Sequence, residues 1–148
     1  MSNSSNQAYR VHTGNCLCGA VRYKVTGPLR DVVNCHCSLC RKFHGHYGAY
    51  TAAPRENVFI KNENNLLAWY RGMNNHARRG FCVVCGSSLF WDLEDAATLS
   101  IAVGTLDQPT GLHTTTHIYT VDKGDYYNLS EGLQELPKGL GASKYSVS

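Results

Sequence analysis

The chain carries the pentapeptide Cys82-Val83-Val84-Cys85-Gly86, and a shorter version of it, Cys16-Leu17-Cys18-Gly19, stands near the start. In both segments a glycine follows the second cysteine, which lets the backbone turn and direct amide N–H groups at the sulfur atoms. Two such turns at the ends of a long insertion predict a closed site in which four thiolates hold a structural metal ion. Fixing both ends of the insertion to one ion removes loop-closure entropy from the unfolded chain, so the ion would stabilise the fold. We call Cys16, Cys18, Cys82 and Cys85 the four-cysteine group.

A second type of cluster lies between these turns, in the segment Cys35-His36-Cys37-Ser38-Leu39-Cys40. Arg41 and Lys42 follow this segment in place of a glycine. Cys35, Cys37 and Cys40, the three-cysteine group, leave one position of a tetrahedral zinc ion open, which is typical of a catalytic rather than a structural site. In an alternative interpretation His36 supplies the fourth ligand. If the segment is extended, however, the alternation of side chains directs His36 away from its two neighbouring cysteines.

All seven cysteines of the 148-residue chain fall within these segments. An odd number cannot close completely into disulfides, and the first residues, 1–6, lack the apolar stretch of a secretion signal. We therefore expect a protein of the reducing cytoplasm. Spacings of one or two residues favour metal ligation over seven inert thiols buried in a core. The spacings also differ from the usual ferredoxin patterns, which favours zinc over an iron–sulfur cluster and predicts two zinc ions.

The composition is that of one globular domain, with 43% hydrophobic and 17% charged residues. No apolar run approaches the length needed to cross a bilayer, so no membrane segment is expected. The net charge of +3 is too small to indicate nucleic-acid binding by itself. We expect a flexible tail over residues 1–9, the zinc-binding domain over residues 10–137 and a C-terminal tail over residues 138–148.

Short alternating segments separated by turn residues predict a mainly β fold with little helix. One helical turn is expected over Ser38–Phe43, with Ser38 as its N-cap. The predicted strands are Ala20–Val25, Asp31–Asn34, Tyr47–Thr51, Val58–Lys61, Leu66–Arg71, Ala77–Cys82, Leu89–Leu93, Leu99–Val103 and His113–Val121.

Two basic pairs are candidate contacts for an anionic ligand. Arg41 and Lys42 adjoin the three-cysteine group, where zinc and three thiolates together carry a net negative charge that favours nearby cations. We therefore expect Arg41 and Lys42 to contact a ligand of this site. Arg78 and Arg79 lie on a predicted strand, where a charged pair is more often simply solvated.

The three cysteine segments, in this order and followed by His117-Ile118-Tyr119, resemble the glutathione-dependent formaldehyde-activating enzyme family, which includes centromere protein V. The resemblance runs from Cys16 to Tyr119. It implies a small zinc-binding β-tent of packed antiparallel sheets. It also implies a structural zinc on the four-cysteine group and a catalytic zinc on the three-cysteine group.

The same resemblance implies a carbon–sulfur lyase that joins a small thiol, glutathione, to formaldehyde or a related aldehyde and yields S-(hydroxymethyl)glutathione. The sequence identifies no proton donor for this reaction and no oligomeric state. A different class of function is a non-catalytic zinc-binding module, either a thiol carrier or a domain that binds protein or chromatin. Binding to nucleic acid is the weaker version of this alternative, because the chain lacks a dense basic stripe.

Overall fold

The computed structural model describes residues 10–72 and 76–140, so the expected tail over residues 1–9 and most of the one over residues 138–148 lie outside the described residues. The described part of the chain contains eleven strands, one α-helix, α1 (Ser38–His44), and three short 3₁₀-helices, Arg55–Asn57, Val103–Thr105 and Thr120–Asp122. The strands are β1 (Val11–Asn15), β2 (Arg22–Thr26), β3 (Val32–Cys35), β4 (Gly48–Pro54), β5 (Val58–Lys61), β6 (Leu67–Arg71), β7 (Ala77–Cys82), β8 (Ser88–Leu93), β9 (Thr98–Ala102), β10 (Thr114–Ile118) and β11 (Gln134–Glu135).

The strands form two sheets. A three-stranded antiparallel sheet has the order β1-β2-β5, and an eight-stranded sheet has the order β11-β10-β3-β4-β9-β8-β7-β6. The large sheet is antiparallel except around β10, which runs parallel to both β3 and β11. The predicted mainly β fold of antiparallel sheets is thereby confirmed, and each of the nine predicted strands overlaps an observed one.

Side-chain alternation gives the large sheet two different faces. One face packs on the core, where Phe90 and Ile101 are fully buried and Tyr23 of the small sheet meets Phe90 edge to face at 5.3 Å between ring centroids. Cys16 and Cys82 belong to this core. The other face carries α1, and a cavity lies on this face beside the helix. The two cysteine groups are therefore built into opposite sides of one sheet.

The helix begins directly after the second cysteine of its segment. Its N-cap is Cys37, whose backbone is extended and whose sulfur accepts a hydrogen bond from the Cys40 amide at 3.3 Å. The prediction of Ser38 as the N-cap was therefore wrong by one residue. A cysteine fills the capping role because its thiolate is itself an acceptor. The cap holds the sulfurs of Cys37 and Cys40 on the same side of the first turn.

Two strands were not predicted. β1 has a polar sequence, but it pairs with β2 along its whole length and buries His12. β11 is two residues long and pairs with β10. Beyond it, Lys138 still accepts a hydrogen bond from the Tyr119 amide. Among the described residues, no helix is long and apolar enough to cross a membrane.

Candidate functional site

The sulfur atoms of the four-cysteine group come together where the turn after β1 meets the turn between β7 and β8. All four lie within 4.8 Å of one another. The Cys18 sulfur is 3.6 Å from that of Cys16 and 3.8 Å from that of Cys82. A tetrahedral zinc ion with Zn–S bonds of about 2.3 Å places its sulfur ligands about 3.8 Å apart. The number, chemistry and spacing of these donors therefore fit a closed zinc site.

Glycine and backbone geometry shape this group as the sequence indicated. Gly19 and Gly86 have φ angles of 81° and 77°, in the left-handed region that favours glycine. In the first turn, the Val21 amide donates a hydrogen bond to the Cys16 sulfur at 3.3 Å. The turns thus direct backbone N–H groups toward the sulfurs.

Ser87 joins the two turns of the four-cysteine group. Its hydroxyl accepts a hydrogen bond from the Leu17 amide at 2.8 Å and lies 3.2 Å from the Cys85 sulfur. The contact with the Ser87 hydroxyl is the main reason that the pKa of Cys85 is lowered, to about 5. A lowered thiol pKa favours the thiolate form that binds metal.

The three-cysteine group is also assembled, at the junction of β3 and α1. Its three sulfurs lie within 4.8 Å of one another. Hydrogen bonds from the Cys35 and Cys40 thiols, and then from the Cys40 and Leu39 amides, lower the pKa of Cys37 to about 2 despite its partial burial. The same sulfur–sulfur contacts raise the pKa of Cys35. Cys37 is therefore the thiolate of this group, and the three sulfur donors fit a zinc ion that keeps a further position for another ligand.

His36 does not belong to this cluster. Its Nδ1 atom is 2.5 Å from the Tyr127 hydroxyl, and its Nε2 atom is 2.8 Å from Nδ1 of His117. His117 in turn contacts the Ser130 hydroxyl through Nε2 at 3.0 Å. Both ring nitrogens of His36 therefore form hydrogen bonds on the side opposite to the sulfurs, as strand alternation indicated. This geometry argues against His36 as a fourth ligand.

A cavity of about 770 Å³ opens beside the three-cysteine group, on the face of the large sheet that carries α1. All three cysteines line it, whereas none of the four-cysteine group does. Among the described residues its walls are mainly apolar and aromatic, with three cationic side chains and one acidic side chain, Asp122. The apolar and aromatic residues are Val33, Leu39, Phe43, Tyr50, Tyr70, Ala77, Trp91, Leu93, Ile118, Tyr119 and Leu140, and the cations are Arg30, Lys42 and Arg79.

The basic residues are distributed differently from the prediction. Lys42 lines the cavity, but Arg41 is not among the lining residues. Arg79, expected to be solvated, is only 6% exposed, and its Nη2 atom is 3.7 Å from the Cys40 sulfur. Strand alternation was a usable signal, because a strand that ends with Cys82 facing the core directs Arg79 to the other face.

His44 and Tyr50 pack beside the cavity. The two side chains are hydrogen-bonded, with 2.5 Å between His44 Nε2 and the Tyr50 hydroxyl. Burial, and then the charge of Arg79, lower the pKa of His44 to about 4, and burial raises the pKa of Tyr50. Both groups are therefore neutral around pH 7. The tautomer of the neutral His44 ring decides whether Nε2 accepts the hydroxyl proton of Tyr50 or donates its own.

Comparison with known proteins agrees with this geometry. Residues 11–122 match the profile of the family described as "Glutathione-dependent formaldehyde-activating enzyme". A Halomonas elongata protein, provisionally named a glutathione-dependent formaldehyde-activating enzyme, is 30% identical over 83 residues, which are 52% of this chain and 53% of the relative. The chain thus spans about half the length of this curated relative. A crystal structure of a Rhodobacter sphaeroides protein is similar, with a TM-score of 0.55, 25% identity and coverage of 70% of this chain and 99% of that one.

Proposed function

Because the chain belongs to the glutathione-dependent formaldehyde-activating enzyme family, we propose that it joins a small thiol, glutathione, to formaldehyde or a related aldehyde. With formaldehyde the product is S-(hydroxymethyl)glutathione, so the enzyme class is a carbon–sulfur lyase. One observation carries the proposal: three clustered cysteine sulfurs form part of the wall of a large cavity. A thiol that enters the cavity can reach these sulfurs, whereas the four-cysteine group does not border the cavity.

The proposed cofactors are two zinc ions, a structural ion on the four-cysteine group and a catalytic ion on the three-cysteine group. When bound at the second group, zinc supplies positive charge that favours the deprotonated form of a ligand thiol. The chain's own part is to fix the donors. Cys35 is held at the end of β3, while the N-cap bond of α1 holds Cys37 relative to Cys40.

Glutathione carries a net negative charge, so cations around the cavity favour its binding. We propose Lys42 as a direct contact, since it lines the cavity. Arg41 is part of the same proposal, but its place outside the lining residues gives it a longer-range electrostatic contribution. The mainly apolar walls lower the effective dielectric constant around the sulfurs, which strengthens charge–charge attraction there.

A second candidate function is a non-catalytic zinc-binding module that carries a thiol or binds protein or chromatin. It is supported by the apolar side chains exposed on the turns of the four-cysteine group. Leu17 is 84% and Val84 is 62% exposed, and Val83 is exposed beside them. Apolar residues exposed together are typical of interaction surfaces. The net charge of +3 gives nucleic acid little support as the partner. For either function we propose a cytoplasmic location, because thiolate ligands need a reducing compartment.

The experiment that tests the proposal measures adduct formation directly. The zinc-loaded protein is mixed with glutathione and ¹³C-formaldehyde, and the rate of S-(hydroxymethyl)glutathione formation is followed by NMR exchange spectroscopy. Calorimetric titration with glutathione runs in parallel, with S-methylglutathione as the control that lacks a free thiol. We expect glutathione to bind and the adduct to form faster than without protein. Binding without acceleration would favour the carrier, and absence of both would contradict the proposal.

A further inference from the structure

Arg79 is a buried cation in a wall of the cavity. It lies in β7, directly opposite Trp91 of β8, and its side chain is among those that line the cavity. The residue is only 6% exposed. A guanidinium group stays protonated at every accessible pH, so Arg79 cannot avoid the cost of burial by losing its charge. Burying a charge is costly unless an opposite charge or hydrogen-bond acceptors compensate it.

The described residues compensate this charge only in part. The Nη2 atom reaches the Cys40 sulfur at 3.7 Å, and the guanidinium lies 5.6 Å from the centroid of the Phe43 ring. The Nε atom is buried and has no hydrogen-bond partner within residues 10–72 and 76–140. In the same part of the chain, no carboxylate forms an ion pair with Arg79. The described residues therefore do not use the full hydrogen-bonding capacity of the guanidinium.

The neighbouring Arg78 shows what a fully compensated arginine looks like in the same strand. Its Nε atom is 2.8 Å from a carboxylate oxygen of Asp92, and its guanidinium stacks on Trp69 at 3.9 Å from the ring centroid. Asp92 also pairs with Arg55 at 2.7 Å. Asp92 is thus committed to Arg55 and Arg78. Asp122 also lines the cavity, but among the described residues it forms no ion pair with Arg79.

We propose that Arg79 binds a negatively charged oxygen of the ligand, beside the three-cysteine group. This inference deepens the proposed function and rests on it for the identity of the ligand. The oxygen has two possible sources. One is a carboxylate of the thiol. The other is the aldehyde oxygen during addition. The thiol first loses its proton to water, and a sulfur lone pair then forms the C–S bond while the C=O π pair moves to oxygen. That oxygen finally takes a proton from water.

The position of Arg79 matches either source. Because its Nη2 atom already reaches Cys40 and its side chain lines the cavity, an oxygen that the guanidinium binds from the cavity would lie close to the sulfurs where the thiol is expected. Charge-assisted hydrogen bonds to arginine are strong, and they are strongest where water is excluded. Preformed donors aimed at the place where negative charge develops need no rearrangement during the reaction.

The test compares Arg79→Met with Arg71→Met, the same substitution at an exposed arginine of the neighbouring strand β6. Two thiol probes are titrated calorimetrically into the zinc-loaded proteins: mercaptoacetate, which has a carboxylate, and 2-mercaptoethanol, which has none. If Arg79 binds the carboxylate, Arg79→Met weakens mercaptoacetate binding about 10- to 100-fold and leaves 2-mercaptoethanol unchanged. If it binds the aldehyde oxygen, Arg79→Met lowers kcat for the 2-mercaptoethanol–formaldehyde adduct about 100-fold or more, with KM unchanged. Arg71→Met changes neither.

The outcomes also separate this inference from the proposed function. If the wild-type protein does not accelerate adduct formation, the proposed function fails, and mercaptoacetate binding alone decides for or against Arg79. Zinc content and circular dichroism are recorded for every variant, and Arg79→Lys, which keeps the charge, is used if Arg79→Met does not fold. The inference is overturned if binding and kcat per bound zinc are unchanged, because Arg79 would then only neutralise the charge of the sulfurs.

Discussion

The four-cysteine group and the three-cysteine group use the same ligand atom at similar spacings, yet they lie in opposite environments. The first is closed by two turns and faces the core, where Cys16 and Cys82 are completely buried. The second lies on the other face of the same sheet, one ligand short, and borders a cavity. On the proposed assignment, the number of cysteines and the face of the sheet, rather than the cysteine itself, would distinguish a structural site from a site that can receive a ligand.

The largest effect is expected from Cys82→Ser, which removes a completely buried ligand from the four-cysteine group. Structural zinc contributes its binding free energy directly to folding, so we expect the free energy of unfolding to fall by at least about 3 kcal/mol. Urea unfolding and zinc analysis measure this. Cys85→Ser, which changes a less buried ligand of the same group, should act in the same direction. Unchanged stability with one zinc ion lost would contradict the structural role.

Cys37→Ser is the matching change in the three-cysteine group, and the contrast should be sharp. Serine is a good N-cap, so α1 keeps its cap while the metal loses a ligand. We expect one zinc ion to be lost, adduct formation to be abolished and the free energy of unfolding to change by less than about 1.5 kcal/mol. Zinc analysis, the NMR assay and urea unfolding are compared with the Cys82→Ser results. Retained activity would eliminate this group as the reactive site.

Much of this contrast could be predicted from sequence because its causes are local. The spacings of the cysteines and the glycines after Cys18 and Cys85 are encoded within a few residues, and they form the turns expected of them. A strand with clear alternation, such as β2, was located for the same reason.

The remaining features depend on contacts between distant parts of the chain. The His36–His117 contact joins β3 to a strand 81 positions later, and β1 forms because β2 is there to pair with it. Arg79 is buried because α1 lies on the face of β7 to which its side chain points. Predicting this requires knowing that β7 belongs to the same sheet as β3, the strand that leads into α1. Alternation from Cys82 directs Arg79 away from the core, but no local pattern shows that α1 covers that face, so the pair Arg78 and Arg79 looked solvated.

The smallest effect concerns pH and the surroundings of the three-cysteine group. Burial lowers the pKa of His44 from 6.5 to about 4, so below pH 6.5 the unfolded chain binds more protons than the folded protein. His44 therefore makes the wild type lose stability as the pH falls from 6.5 toward 4. His44→Gln can still accept a hydrogen bond from Tyr50 but cannot titrate, so between pH 7 and pH 5 it should lose less stability than the wild type, by at most about 2 kcal/mol. Urea midpoints at the two pH values measure the difference. Protonation of the metal ligands affects both proteins alike, so equal losses would show that His44 is as accessible to protons when folded as when unfolded.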